Sequence, residues 1–271
     1  MLDQVTNNKL RARFNPDGSE LRNIQLRELE ILKYIDRVCK KYNINYWLSS
    51  GTLLGAVRHG GFIPWDDDVD VEMLRDDYHK FEKAMEKEKS KDFALQTHKT
   101  DQNYYSPYGK VRDLHSLMKE YNTKYDQYYK FQGLYVDIFI LVPSSSTFFT
   151  RVGGHLQGHW LNFMYGFIKK PFLRKIYMNS IYSILDKVVY PFLRFILKIG
   201  SKDCLRQTPG SGFPKPRYKK EIFPLSTMQF EGQSFPVPNN CDSYLSHIYG
   251  DFTSLPDLDK LSKHSSQVII N

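Results

Sequence analysis

Apolar residues recur every three to four positions between residues 21 and 39, the spacing of a helix with one buried face. This spacing predicts a helix over about residues 20–42, with Ser19 or Asp17 as the cap of its amino terminus. A shorter helix is predicted over residues 53–59, because Gly60 follows it and glycine commonly ends helices.

Strands and helices alternate in the first half of the chain. Apolar runs predict strands over residues 44–48, 93–98, 108–114 and 134–141. A charged amphipathic helix is predicted over about residues 76–88. The alternation predicts an α/β (α+β) fold, with a core sheet flanked by helices.

The pattern changes between residues 146 and 203, where aromatic residues stand among lysines and arginines. Pro171 and Pro191 are expected to divide this segment into two or three helices. Its longest apolar run, residues 181–199, is interrupted by charges and a proline, so no bilayer-spanning helix is predicted. The first residues of the chain also lack the apolar stretch of a signal peptide, and we expect a cytoplasmic protein.

These changes divide the chain into four predicted parts. They are an amino-terminal arm (1–19), a core (20–145), a basic aromatic helical segment (146–203) and a carboxy-terminal segment (204–271). The last segment is rich in proline and glycine and is expected to pack back on the core. We predict a hairpin over about residues 227–237 and a short helix over about 241–249 within it.

The chain has 38 lysines and arginines against 30 aspartates and glutamates, a net charge of +8. Nine basic residues and one acidic residue between positions 151 and 202 account for the whole excess. A protein that coats nucleic acid usually spreads its basic residues over a broad face, so no nucleic-acid partner is predicted. Three widely separated cysteines without a Cys-x-x-Cys pair also argue against a zinc ribbon or a disulfide framework.

An acidic stretch in the core carries the first candidate chemistry. Side chains two apart share one face of a strand, so Asp66, Asp68 and Asp70 point one way while Val69 and Val71 point the other. Carboxylates so close repel one another, and a divalent cation with oxygen ligands removes the repulsion. A solvated acidic loop is the alternative. An EF-hand is excluded, because Val71 occupies the position that requires glycine.

Two further elements flank the acidic stretch. The turn Ser50-Gly51-Thr52 lies between a predicted strand and a predicted helix, where backbone N–H groups can bind phosphate. Asp137 lies inside an apolar strand, which is costly unless the carboxyl is paired, protonated or bound to metal. Together these elements have the order of a two-carboxylate metal site beside a phosphate-binding turn, with a third carboxylate as ligand or base.

The order of Gly-Thr turn, Asp-x-Asp strand and single-Asp strand resembles the polymerase-beta-like nucleotidyltransferase fold. Residues 50–70, SGTLLGAVRHGGFIPWDDDVD, are similar to the signature of the LicD family of phosphocholine and phospho-alcohol transferases, related to fukutin and fukutin-related protein. The resemblance covers about residues 20–145 and 220–264. Glu72 departs from it, because the family usually has a small residue there. Glu72 could be an added metal ligand, or it could crowd the donor. The identity of the donor therefore stays open.

The resemblance implies a Mg²⁺- or Mn²⁺-dependent enzyme. It would transfer a phospho-alcohol such as phosphocholine from a CDP-linked donor to a sugar hydroxyl, releasing CMP. The acceptor would be a surface glycan (lipopolysaccharide, teichoic acid or capsule) or its lipid-linked precursor.

The resemblance also implies roles for individual residues. The metal ligands would be Asp68 and Asp70, with Asp137 as a further ligand or as the base. The donor phosphates and nucleotide would be bound by Ser50, Gly51, Thr52, Arg58, Lys110 and Arg112. An acid or supporting group would be supplied by Asp66 or His264.

Several alternatives stay open at this point. Asp68-Val69-Asp70 also fits the Asp-x-Asp motif of metal-dependent glycosyltransferases, and a non-catalytic glycan- or lipid-binding homologue would keep the same fold. Residues 151–202 fit peripheral contact with an anionic membrane, a self-association surface or a packed helical subdomain. A tyrosine cluster between residues 104 and 129 suits an aromatic cage for choline or ordinary packing.

Overall fold

Helices and strands alternate through the first half of the molecule, as the apolar pattern predicts. The computed structural model describes residues 2–120, 126–211, 213, 215–261 and 265–270. In chain order the elements of this half are α1 (Gln4–Phe14), α2 (Glu20–Tyr42), β1 (Trp47–Leu48), α3 (Ser50–His59), β2 (Asp70–Leu74), α4 (Arg75–Glu88), β3 (Phe93–Gln96), β4 (Gly109–Asp113), β5 (Ser116–Glu120) and β6 (Tyr135–Pro143).

The second half begins with helices and ends with short strands. Its elements are α5 (Thr147–Phe167), α6 (Pro171–Ile184), a π-helical turn (Leu185–Val189), α7 (Tyr190–Lys198), β7 (Cys204–Gln207), β8 (Arg217–Tyr218), α8 (Lys219–Ile222), β9 (Ser226–Phe230), β10 (Gln233–Val237), α9 (Cys241–Tyr249) and β11 (Ser265–Ile270). The predicted hairpin and the predicted short helix are confirmed as β9–β10 and α9.

Strand β6 is the centre of a mixed sheet, which confirms the predicted fold class. The strand order is β1-β2-β6-β4-β3, with β2 parallel to β6 and β4 antiparallel to it. The far end of β6 pairs with β7, which in turn pairs with β8. In this register Asp70 of β2 lies opposite Asp137 of β6, so the topology brings two of the predicted site residues together.

Helix α2 covers the sheet with the buried face that its sequence predicts. Ile31, Leu32 and Ile35 have no exposed surface and join the main hydrophobic core. The Ser19 side chain accepts a hydrogen bond from the backbone N–H of Arg22, which confirms the predicted cap. Burial of this apolar face therefore fixes the helix against the strands that carry the carboxylates.

Residues 4–14 form helix α1 inside the segment expected to be an arm. Only Leu10 of this helix is buried, so its apolar spacing gives little signal. The helix lies at the end of α3, where the Asn7 side chain donates to the backbone carbonyl of His59 at 3.1 Å. A second hydrogen bond joins Asn7 Oδ1 to His59 Nδ1 at 2.7 Å.

The buried His59 side chain predicts a loss of stability in mild acid. Burial, followed by the charges of Arg58 and Arg11, lowers the His59 pKa to about 4. Below about pH 6.5 His59 is protonated in the unfolded chain but stays neutral in the folded chain. The free energy of unfolding therefore falls as the pH drops from about 6.5 to about 4. The loss attributable to this group is at most about 3 kcal/mol.

Urea unfolding across this range should be less pH-dependent in His59→Gln than in the wild type. In His115→Gln, which changes an exposed histidine, the wild-type pH dependence should persist.

Helices α5, α6 and α7 occupy the basic aromatic segment, which is helical as predicted. Pro171 begins α6, whereas Pro191 lies directly after a π-helical turn and the helical backbone continues past it through α7. Met164 and Met178 form a small core of this segment with Tyr105. None of the helices within the described residues is long and apolar enough to cross a bilayer.

Candidate active site

A cavity of about 370 Å³, partly open to solvent, lies at the amino-terminal end of β2. One wall consists of the first turn of α3, the acidic loop and the first residue of β2. The residues on this wall are Ser50, Gly51, Asp66, Asp68 and Asp70. The rest of the lining comes from β6 and from residues 204–271 and consists of Phe139, Gln207, Phe213, Lys215, Arg217, Ile248 and Tyr249.

Hydrogen bonds behind the cavity fix the acidic loop to its neighbours. Thr52 Oγ1 accepts the backbone N–H of Asp70 at 2.8 Å, which ties α3 to the start of β2. Gln25 of α2 donates from Nε2 to the Asp66 carbonyl at 2.8 Å and to the Ile63 carbonyl at 3.3 Å. Thr52, predicted to bind phosphate, therefore positions Asp70 instead of lining the cavity.

Position 51 favours glycine because its backbone lies very close to the Asp66 side chain. A Cβ atom at Gly51 would lie 2.7 Å from Oδ2 of Asp66, nearer than non-bonded atoms approach. Ser50 precedes it with a φ of 47°, a left-handed conformation that is unusual for serine. The turn predicted from its composition is thus shaped around a carboxylate.

Replacing Gly51 by Ala should impair turnover more than stability. The new methyl group must displace the Asp66 carboxylate beside the predicted metal ligand Asp68, and a displacement of about 1 Å in an active site costs on the order of 100-fold in rate. Alanine also favours helix by up to about 1 kcal/mol, so the melting temperature should change little. Gly158→Ala is the matched control, because nothing lies within 4 Å of the added Cβ. Equal turnover in both variants would contradict the role given to Gly51.

Burial and then mutual repulsion raise the pKa values of the carboxyl groups on the acidic wall. Burial raises the pKa of Asp66 well above its usual value, and Asp68 and Asp67 raise it further. The pKa of Asp70 is raised by burial first and then by Asp68, Asp137 and Asp66. The cluster therefore favours any bound cation that replaces its protons.

Asp137 and Lys110, both predicted site residues, form a buried ion pair. Lys110 Nζ lies 3.1 Å from Asp137 Oδ1, and only 6% and 11% of the two side chains are exposed. The ammonium also sits 3.2 Å from the ring centroid of Tyr135. Lys110, predicted to bind donor phosphate, thus neutralises the carboxylate opposite Asp70.

The donor set of the acidic wall fits Mg²⁺ in the way this ion is commonly bound. Within the described residues, no three histidine, cysteine, aspartate or glutamate side chains converge as a metal cage. Mg²⁺ usually takes one or two carboxylates and fills its other positions with water and substrate phosphate. Asp68 and Asp70 supply two carboxylates on a cavity with room for such a substrate.

Arg58 and Arg112 are engaged away from this cavity. Arg58 donates to the backbone carbonyls of Phe252 and Ser254, so it holds the segment after α9. Arg112 is 1% exposed, and its Nε donates to Gln96 at 2.7 Å. Neither arginine is among the described residues that line the cavity. His264 lies outside the described residues.

Arg217 and Lys215 are the cations that sequence reasoning missed. Arg217 is buried and pairs with Glu72 through a distance of 2.8 Å between Nη2 and Oε1. It also donates from Nη1 to the Lys215 carbonyl at 2.8 Å. This hydrogen bond fixes the backbone of Lys215, which lines the cavity. Glu72 further accepts hydrogen bonds from Tyr244 and Gln207. Its carboxylate is therefore committed to Arg217, and it is not free to act as an added metal ligand.

Glu28 is a further buried carboxyl that sequence reasoning missed. It is 1% exposed on α2, and its Oε2 atom has no hydrogen-bond partner. Burial, followed by Asp68 and Asp67, raises its pKa well above the usual value. The signal was available, because Glu28 falls within the helical spacing of Ile24 and Ile31 on the buried face.

The predicted tyrosine cluster packs mainly on itself. Tyr104 and Tyr105 are buried, and their ring centroids lie 5.6 Å and 6.2 Å from that of Tyr129. Tyr121 and Tyr125 lie outside the described residues. The aromatic rings that line the cavity are those of Phe139, Phe213 and Tyr249.

The sheet, the Gly-containing helix start and the paired aspartates define a nucleotidyltransferase domain. Residues 43–177 match the family model described as LicD/FKTN/FKRP, nucleotidyltransferase domain. The chain belongs to the LicD family, as its motifs indicate, and it is an enzyme of the phosphotransferase class.

Named relatives support this assignment over different lengths. The chain is 29% identical to the lipopolysaccharide cholinephosphotransferase LicD of Haemophilus influenzae over 265 residues, which cover 91% of this chain and 96% of the relative. It is 46% identical to the human ribitol 5-phosphate transferase FKRP over 48 residues, 18% of this chain and 10% of that protein. An uncharacterised protein of Rickettsia typhi is 39% identical over 70 residues, 26% of this chain and 23% of its own.

Proposed function

We propose that this enzyme transfers a phospho-alcohol from a CDP-linked donor to a sugar hydroxyl of a cell-envelope glycan or its lipid-linked precursor. One observation carries the proposal: a single cavity is lined both by the carboxylates of Asp66, Asp68 and Asp70 and by the cations of Lys215 and Arg217. A metal-bound pyrophosphate needs both, because the ion binds to carboxylates and the remaining phosphate charge requires basic groups.

The donor would lie in this cavity, in contact with both its acidic and its basic lining residues. Asp68 and Asp70 would hold Mg²⁺ or Mn²⁺, which would neutralise the charge of the pyrophosphate and of the leaving CMP. Ser50 and Gly51 would offer the first N–H groups of α3 to a donor phosphate, and Lys215, which lines the same cavity, would supply a cation. Phe213, 58% exposed at the cavity, suits stacking with the cytosine ring.

The reaction is a displacement at the phosphorus that bears the alcohol. The acceptor hydroxyl oxygen forms the new P–O bond, and the bond to the oxygen bridging the two phosphates breaks. CMP leaves with that oxygen, and the hydroxyl proton passes to a base. Asp137, which lies opposite Asp70 and pairs with Lys110, would be either that base or a further metal ligand.

The relatives guide the choice of donors and acceptors to test. Their printed names include cholinephosphotransferase acting on lipopolysaccharide and ribitol 5-phosphate transferase. We accordingly propose CDP-choline and CDP-ribitol as first donors and a lipopolysaccharide-type glycan as first acceptor. We also propose that the enzyme meets its acceptor at the inner face of the cytoplasmic membrane.

A donor screen tests this function. The purified protein is incubated with Mg²⁺ and acceptor glycan, using CDP-choline, CDP-ethanolamine, CDP-ribitol, CDP-glycerol and UDP-sugars in turn. CMP release from one CDP-alcohol, lost on chelation by EDTA, is the expected result. UDP release from a nucleotide sugar would support the Asp-x-Asp glycosyltransferase alternative, and no release from any donor would support a non-catalytic homologue.

A further inference from the structure

The helices after β6 expose large apolar side chains in an unusual concentration. Between residues 148 and 199 of the described chain, the exposed ones are Phe148, Phe163, Phe167, Phe172, Leu173, Ile176, Ile184, Val188, Phe192, Phe195 and Ile199. The exposed fractions of Phe167, Phe172 and Phe195 are 76%, 72% and 70%. Contiguous exposed apolar surface of this kind usually marks an interaction site.

Seven of these side chains form one stripe along a nearly continuous helix. Helix α6, the π-helical turn and α7 follow one another directly, and Leu185 and Tyr190 at the junctions keep helical backbone angles. The stripe has steps of three, four or eight residues and consists of Phe172, Ile176, Ile184, Val188, Phe192, Phe195 and Ile199. At 1.5 Å per residue it is about 40 Å long.

A second set of side chains on the same helices faces the protein. Met178, Leu185, Tyr190 and Leu197 are buried. His98 of the core stacks on Tyr182 with ring centroids 3.8 Å apart. The segment is thus already attached to the core by one face, and burial in the fold does not account for the outer stripe.

Basic side chains surround the outer stripe. Lys169, Lys170, Lys175, Lys187 and Lys198 are exposed, and Asp186 is the one acidic residue between positions 151 and 202. Arg174 is held differently, because it donates to the backbone carbonyls of Ile168 and Lys169. Apolar side chains flanked by lysines are the composition of helices that lie in the interface of an anionic membrane.

We propose that the outer face of α6, the π-helical turn and α7 docks on an anionic phospholipid bilayer, with its phenylalanines inserted among the acyl chains. The face lies parallel to the membrane, since no helix in the described part of the chain is able to span it. A second copy of the chain fits the same face poorly, because five lysines would meet five lysines across the interface. This inference concerns where the enzyme works and does not depend on the proposed reaction.

Vesicle sedimentation tests the docking surface directly. The full chain is mixed with phosphatidylcholine vesicles that contain or lack phosphatidylglycerol, at low and at high salt. Binding is expected only to the anionic vesicles, and it should weaken at 1 M salt, where charges are screened beyond about 3 Å. Changing Lys169, Lys170, Lys175 and Lys187 to Ser should weaken binding several hundredfold, at about fivefold for each lysine.

An apolar variant separates insertion from charge attraction. Phe172→Ser, Phe192→Ser and Phe195→Ser together should weaken binding by at least roughly tenfold per phenylalanine inserted. The matched control changes three exposed apolar residues elsewhere, Val5, Leu26 and Leu114, to Ser and should bind like the wild type. Equal binding by the phenylalanine variant and the wild type would overturn the proposal. So would a lipid-free dimer, detected by sedimentation equilibrium, that the phenylalanine changes dissociate.

Discussion

Replacing Asp70 by Asn is expected to lower the rate of CMP release about 1,000-fold while leaving the fold intact. The change removes one of the two carboxylates proposed to hold the metal, and metal-ion catalysis supplies several kcal/mol of transition-state stabilisation. Asparagine has nearly the same shape as aspartate and keeps the backbone N–H that Thr52 accepts. Its neutral amide also ends the repulsion among Asp70, Asp68 and Asp137.

The two effects are measured by steady-state CMP release and by urea unfolding of the same preparations. The unfolding midpoint of Asp70→Asn should equal or exceed that of the wild type, since a buried charge has been removed. Asp76→Asn serves as control, because Asp76 is also an aspartate but lines a different groove beside α7. Turnover of Asp70→Asn at the wild-type rate would refute the metal site.

Replacing Glu72 by Gln is expected to lower the free energy of unfolding by about 3–5 kcal/mol, the usual cost of breaking a buried ion pair. Neither the Glu72 carboxylate nor the Arg217 guanidinium has more than 2% of its surface exposed. The variant leaves the arginine charge buried beside Tyr244 without its counter-ion. Differential scanning calorimetry should show a melting temperature lower by about 10 °C.

A surface pair provides the comparison for this loss. Glu30→Gln removes an exposed pair with Lys33 and should cost well under 1 kcal/mol. Replacing Glu72 and Arg217 together by Met should restore much of the stability, because no unpaired charge then remains. An unchanged melting temperature with a raised Mg²⁺ requirement would show instead that Glu72 is a metal ligand.

The fold was predictable wherever one face of an element is apolar. Helix α2 buries regularly spaced side chains and β6 is a continuous apolar run, so the positions of both follow from the sequence pattern. Helix α1 was missed for the same reason, because it buries only Leu10 and depends on contacts such as Asn7 to His59. Pairing of β6 with β7 across the long helical segment also leaves no local pattern in the sequence.

The acidic half of the site was easier to predict than its basic half. Asp66, Asp68 and Asp70 stand close together in the sequence, which is enough to group them. The prediction that all three share one strand face is wrong, because β2 begins at Asp70 and the other two lie in the loop before it. The cations of the cavity, Lys215 and Arg217, lie about 150 residues further along the chain. In the sequence they look like ordinary surface charges. Which arginine reaches the cavity depends on buried partners such as Glu72, and tertiary structure alone reveals these.

The most direct test of the central claim follows the two phosphorus atoms of the donor separately. The CDP-alcohol that the donor screen identifies is labelled with ³²P at the phosphate next to the alcohol, and the protein is incubated with it, Mg²⁺ and acceptor glycan. We expect the label to move to the glycan in equal amount with unlabelled CMP, and we expect Asp70→Asn to abolish this transfer. Release of the label with the nucleotide, or a glycan that gains only a sugar, would contradict phospho-alcohol transfer.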